Sequence, residues 1–157
     1  MTESLGSLVL TLFGVGGILG NLIGARVADW DLLRAIPLIL IWCAAVQGLF
    51  YFAANTLWLG MLFVGLVGAS MALGAPLQTR LMDVAEGGQT LAAPLNHAAF
   101  NLANALGAWL AGVTVKAGFA WPSTGLVGTL LALGGLLVFF VGRWVEKRRG
   151  GVVPVSS

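Results

Sequence analysis

The chain has 157 residues, of which 59% are hydrophobic and only 9% charged, with a formal net charge of +2. A soluble domain carries roughly 25% charged residues, so this composition excludes one and specifies an integral membrane protein, with length for about five or six helical spans. The few basic residues sit in connecting loops, where they report on membrane topology and not on nucleic acid.

The N-terminus reads MTES. Glu3 stands where a signal peptide carries positive charge, and the apolar stretch behind it is too long for a signal core, so it reads as a true span. That first span covers about Leu5 to Ala25. Gly16, Gly20 and Gly24 lie four apart with Gly17 and Asn21 beside them, two overlapping GxxxG steps that let another helix approach the backbone. A hydrophilic turn from Arg26 to Arg34 follows, carrying both charge signs.

The second span, about Ala35 to Ala54, begins with Pro37 in its first turn, where proline is tolerated. Gln47, its one strongly polar interior residue, is expected to hydrogen-bond a neighbouring helix, with a substrate contact as the alternative. Only Asn55-Thr56 separates it from the third span, so the two form a tight antiparallel hairpin. The third span, about Leu57 to Leu77, has small residues at Gly60, Gly65, Gly68, Ala72 and Gly74 and is expected to end at Pro76. A linker from Gln78 to Thr90 carries Arg80, Asp83, Glu86 and the pair Gly87-Gly88.

The fourth span, about Leu91 to Val115 with Pro94 in its first turn, is where an oily chain turns selectively polar. His97, Asn101, Asn104 and Ala108 fall at i, i+4, i+7 and i+11 on one face, with Gly107 and Ala111 beside them. An amide in hydrocarbon costs several kcal/mol (about 4–8 on cyclohexane scales) unless it is hydrogen-bonded, so this stripe must face protein or a watery cavity. Asn101 and Asn104 read first as helix contacts and second as substrate contacts. Lys116 to Pro122 leads to the fifth span, about Ser123 to Gly142, the most uniformly apolar one. The expected fold class is therefore all-α, a polytopic membrane bundle of five transmembrane helices.

Counting Lys and Arg by side sets the orientation. With the N-terminus outside, Arg26, Arg34, Arg80, Arg143, Lys147, Arg148 and Arg149 fall inside and only Lys116 outside, seven against one of the eight in the chain, a decisive positive-inside bias. Tyr51, Trp58 and Trp121 then anchor the outer ends, and Trp30 and Trp144 the inner ends. The Lys147-Arg148-Arg149 run reads as a topology anchor, being shorter than the clusters that recognise lipid.

Chemistry for an enzyme is missing from the pattern. His97 has no acidic partner nearby in sequence, and the lone thiol, Cys43, lies in another helix, so neither a nucleophilic pair nor a metal or cofactor site is called for. His97 reads as a packing or interfacial histidine, with a proton-linked or substrate contact as the alternative. All six acids (Glu3, Asp29, Asp31, Asp83, Glu86 and Glu146) fall in loops or at ends, whereas proton coupling ordinarily uses an ionisable group within the membrane.

Two stretches carry a family resemblance. GVGGILGNLIGARVADWDLLR resembles the eighth helix and following loop of major facilitator superfamily transporters, in the drug and sugar efflux branch typified by arabinose efflux permeases. In the weaker copy of that superfamily's loop motif, Gly24 or Ala25, Ala28, Asp29 and Arg34 find counterparts, which makes Asp29 and Arg34 candidate conformational-loop residues. Trp30 stands where an arginine is usual. APLQTR at Ala75 to Arg80 and LAAPLNHAAFNLANALGAWLAG resemble the tenth-to-eleventh helix region of the same branch.

The resemblance implies that residues 1–146 are a partial six-helix half, helices eight to twelve, built from nested inverted repeats, with 147–157 a basic cytoplasmic tail expected to be disordered. It implies a bacterial inner-membrane transporter exporting a small organic solute, drug or sugar, by alternating access, in antiport with protons. The N-terminal transporter half, or an equivalent helical partner, would then cover the Gly16/Gly20/Gly24/Asn21 face and the His97/Asn101/Asn104/Gly107/Ala108 stripe, and any coupling carboxylate would lie in that half or in the absent seventh helix. Phe63 and Ser70, on a helix that lines the cavity in the family, are candidate substrate-cavity residues. The rival expectation is a non-transporting membrane interaction protein, or a half-size transporter, that assembles with a partner bundle.

Overall fold

The computed structural model describes residues 2–85 and 87–148. They form the α-helices α1 (Thr2–Trp30), α2 (Leu32–Ala53), α3 (Leu57–Gly68), α4 (Gly74–Val84), α5 (Gln89–Lys116) and α6 (Ser123–Arg148), with a 3₁₀ turn, Ala69–Leu73, joining α3 to α4. Counted with α3, the 3₁₀ turn and α4 as one, five helical stretches are long and apolar enough to cross a membrane. The all-α membrane bundle expected from hydropathy is the fold observed.

The helices outrun the hydropathy boundaries, because polarity ends a membrane span without ending a helix. The turn expected over 26–34 shrinks to Asp31. Its backbone is extended, and its carboxylate accepts from the amides of Leu33 and Arg34 at 3.1 Å each, capping α2. Pro37 thus sits in the second turn of α2, and Pro94 likewise in the second turn of α5. The α2–α3 hairpin closes as expected, with Thr56 N–H donating to Ala53 O at 3.1 Å.

Pro76 does not end the third span. It lies buried in the first turn of α4, which runs on to Val84, so the linker reduces to the few residues before Gln89. A proline cannot donate to the carbonyl four residues back and its ring crowds that group. The one-turn tightening to 3₁₀ just ahead of it is the local response. At the far end of α5, Gly118 takes φ +90°, and its N–H and that of Phe119 donate to Val115 O and Thr114 O. This is the double closure that a glycine past a helix end permits. Lys147 and Arg148 still belong to α6; the rest of the tail expected at 147–157 lies outside the described residues, as does Glu86.

The packing centre is α2, which buries Ile36, Ile39, Leu40, Cys43, Ala44 and Val46 against α6, the third span and α1. Against α6 the contact is made close by small residues. A side chain at Gly125 would meet the Gln47 carbonyl, and one at Gly128 would meet the Gln47 amide. The hydrogen bond between these helices comes from Thr129, whose hydroxyl lies 3.2 Å from Ala44 O and 3.0 Å from Gly125 O, and not from Gln47 as expected.

On the other side of α2, α1 lies along the third span. A Cβ at Gly16 would strike the Gly65 carbonyl, one at Gly20 the backbone of Ala69, one at Gly24 that of Ala72, and one at Gly68 that of Phe13. This corrects the expectation that the GxxxG face waits for helices from elsewhere. The third span has a small residue at each matching register, and backbone-to-backbone approach is the favourable use of such faces in lipid.

Candidate functional site

The fourth span, α5, is the exception to this packing. Among the described residues it touches only α4 and α6, and those of its residues that are buried are Ala92 and Asn96 near the N-terminal end. Beyond them no residue of α5 is buried. His97, Asn101, Asn104 and Ala108 are all exposed and Gly107 is half-buried. A Cβ added at Gly107 or Gly112 would meet nothing within 4 Å, in contrast to Gly16, Gly20 and Gly24. The small-and-polar stripe is therefore intact on the helix and open along its length.

Several candidate residues lie apart from that stripe. α1 and the third span above Gly74 do not reach α5, so Asn21, Phe63 and Ser70 do not join Asn101 and Asn104 in one site. Asn21 is exposed and borders the third span, its Oδ1 3.8 Å from where a Gly74 Cβ would stand. Phe63 is half-buried. The Ser70 hydroxyl is buried in the 3₁₀ turn beside the Cys43 thiol of α2, so its oxygen is not on the surface.

The two candidate conformational-loop residues, Asp29 and Arg34, lie on different helices. Arg34 Nε lies 3.0 Å from Asp31 Oδ2, whereas Asp29 is exposed in the last turn of α1. The helix continues through Asp29, while Asp31 occupies the corner itself.

The sequence reading passed over two features. Asn96 is only 8% exposed; with buried Ala92 at i−4 it marks the packed face, about 100° around the helix from His97. Arg80 of α4 meets Glu146 of α6, with Nη2 2.6 and 2.7 Å from the two carboxylate oxygens. No local pattern marks that pairing.

Clefts between the helices indent the bundle. One, of 620 Å³, lies between α1, α2 and the 3₁₀ turn and is floored by Gly20, Gly24, Trp42 and Ala69 with no ionisable side chain in its lining. Another, of 490 Å³, lies between the start of α2 and the end of α6. Among the described residues no three of His, Cys, Asp and Glu gather as a metal would need.

Five apolar helices, close glycine contacts between them and a polar stripe along one of them define a polytopic α-helical membrane protein. Sequence comparison places it more narrowly. The chain is 34% identical over 143 residues to the MFS-type transporter YfhI of Bacillus subtilis, covering 88% of this chain and 35% of that one. It is 33% identical over 137 residues to the inner membrane transport protein YdhP of Escherichia coli K12, covering 86% of this chain and 35% of that one. It is 31% identical to the E. coli transporter AraJ over 162 aligned residues, 99% of this chain and 40% of that one. No family model and no solved structure matches it. The chain is a relative of the major facilitator-type transporters and corresponds to a part of them, spanning about 35–40% of the length of the curated relatives it matches.

Proposed function

We propose that this chain is the C-terminal part of a major facilitator efflux transporter of the bacterial inner membrane, its five spans being helices eight to twelve. The transporter moves a small organic solute, such as a drug or sugar, outward by alternating access in exchange for protons. The observation that carries this reading is the open stripe of α5. His97, Asn101, Asn104 and Ala108 lie bare on a helix that packs against only two neighbours, and amides at membrane depth require hydrogen-bonding partners or water. Further helices of the transporter, across the seam that rocks during transport, supply that setting. The chain sits with its N-terminus outside and its C-terminus in the cytoplasm, an orientation supported by the seven-to-one distribution of Lys and Arg.

The test is a resistance and efflux screen with the full-length transporter containing this sequence, comparing wild type with Asn101→Ala and Asn104→Ala. Loss of export with normal membrane insertion supports the reading; export of every solute unchanged in both variants refutes a role for the stripe. A non-transporting interaction protein that docks through the same bare face is the second reading. Cysteine cross-linking from Ala108 separates the two: capture of helices of the same transporter favours the first, and capture of a separate non-transporting protein the second.

A further inference from the structure

The 490 Å³ cleft at the basic end of the bundle brings together cations that are far apart in sequence. Arg34 stands at the start of α2, and Arg143 and Lys147 lie one turn apart on α6. Below them the cleft is apolar, floored by Leu38, Ile41 and Phe140, each of them exposed on the outside of the bundle. From Arg34 to Ile41 is seven residues, about 10 Å along a helix, so the rim and the floor differ in depth as a lipid headgroup differs from the upper part of its chains.

The charge balance of the rim is positive. The nearby carboxylates are engaged: Glu146 faces Arg80, and Asp31 holds Arg34 at 3.0 Å while leaving that side chain 89% exposed. Arg148 stacks over Trp144, its guanidinium carbon 3.8 Å from the ring centroid, and Trp144 forms part of the cleft wall. The basic run at 147–149 is too short by itself to recognise lipid, but folding adds Arg34 and Arg143 to it and sets an apolar groove beneath.

We propose that this cleft between the second and fifth spans is a binding site for an anionic phospholipid, its phosphate held by Arg34, Arg143 and Lys147 and its acyl chains lying on Leu38, Ile41 and Phe140. Basic pockets between transmembrane helices are suited to such headgroups, and the apolar floor selects a lipid over a free phosphate. The inference is independent of any transport activity.

The experiment uses the 157-residue chain in a non-ionic detergent, with bound lipid read by native mass spectrometry. Phosphatidylglycerol is expected to bind at concentrations where phosphatidylethanolamine does not, and glycerol phosphate is expected not to displace it. Each cation removed should weaken phosphatidylglycerol about fivefold, so Arg143→Gln with Lys147→Gln loses about 25-fold. Arg26→Gln, on α1 and outside the cleft, should change it less than about twofold. Equal binding of the two lipids by the unaltered chain overturns the site without recourse to a variant. So does full displacement by glycerol phosphate, or unchanged binding in a folded Arg143→Gln/Lys147→Gln chain.

Discussion

Arg80 and Glu146 tie together two helices that do not otherwise pack on each other. One guanidinium nitrogen reaches both carboxylate oxygens at 2.6 and 2.7 Å, bridging the end of the third span to the end of the fifth across 66 residues of sequence, while α4 and α6 make no closer backbone approach. The pair is partly exposed, at 24% and 36%, so its worth sits between that of a surface pair and a buried one.

Removing either partner should therefore destabilise the bundle modestly. Arg80→Ala and Glu146→Ala are each expected to cost about 1 kcal/mol, with a coupling energy of similar size in the double-mutant cycle. Denaturation in mixed detergent micelles measures it. Strictly additive single variants would mean that the pair holds nothing.

The glycine face of α1 makes a sharper prediction because its two candidate uses differ in where a methyl group would collide. Gly20→Ala places a carbon against the Ala69 backbone, and overpacking of this kind typically costs about 1–3 kcal/mol. Gly107→Ala meets open space and is expected to be neutral or slightly stabilising, since alanine is the better helix former by about 1 kcal/mol. Thermal melting of the two variants side by side decides the matter; equal melting points would contradict the packing described for α1 and the third span.

How these faces pair was legible only in part. The five spans follow from hydropathy, since bilayer thickness dictates the length of each apolar run, and the α2–α3 hairpin follows from the shortness of Asn55-Thr56. Which small face meets which helix is a non-local choice. Gly16, Gly20 and Gly24 announce a close contact, but only the matching register of Gly65, Ala69 and Ala72 shows that the partner lies within the chain. The family resemblance marks Asp29, whereas the cap geometry that singles out Asp31 belongs to the corner between two helices. The stripe of α5 was readable as one polar face, and its openness required knowing what the other four spans leave uncovered.

Thr129 offers a test of the α2–α6 contact that leaves its shape almost unchanged. Thr129→Val removes the hydroxyl that lies 3.2 Å from Ala44 O, and interhelical hydrogen bonds in membranes average about 0.6 kcal/mol. A loss near that size is expected. Gly125→Ala, by contrast, drives a carbon into the backbone carbonyl of Gln47 and should cost more, about 1–3 kcal/mol. A Thr129→Val chain less stable than Gly125→Ala would reverse the ranking of hydrogen bonding and close packing at this interface.

Ser70 and Cys43 provide the last prediction. The Ser70 hydroxyl is buried against the Cys43 thiol, a weak hydrogen-bonding partner, so it recovers little of the desolvation penalty, about 1–3 kcal/mol for an unpaired group in mutational series. Ser70→Ala keeps the small volume that the 3₁₀ turn needs against Cys43 and removes the poorly paired oxygen, so the variant is expected to be as stable as the parent or more so. The neighbouring thiol supplies an independent readout. Cys43 is buried, so a maleimide should label it slowly in the folded chain and quickly after unfolding, and Ser70→Ala should leave the folded-state rate unchanged. Rapid labelling of the folded parent, or a marked loss of stability in Ser70→Ala, would mean that water reaches this turn and that the hydroxyl is satisfied from a cavity, restoring Ser70 as a surface that a solute could touch.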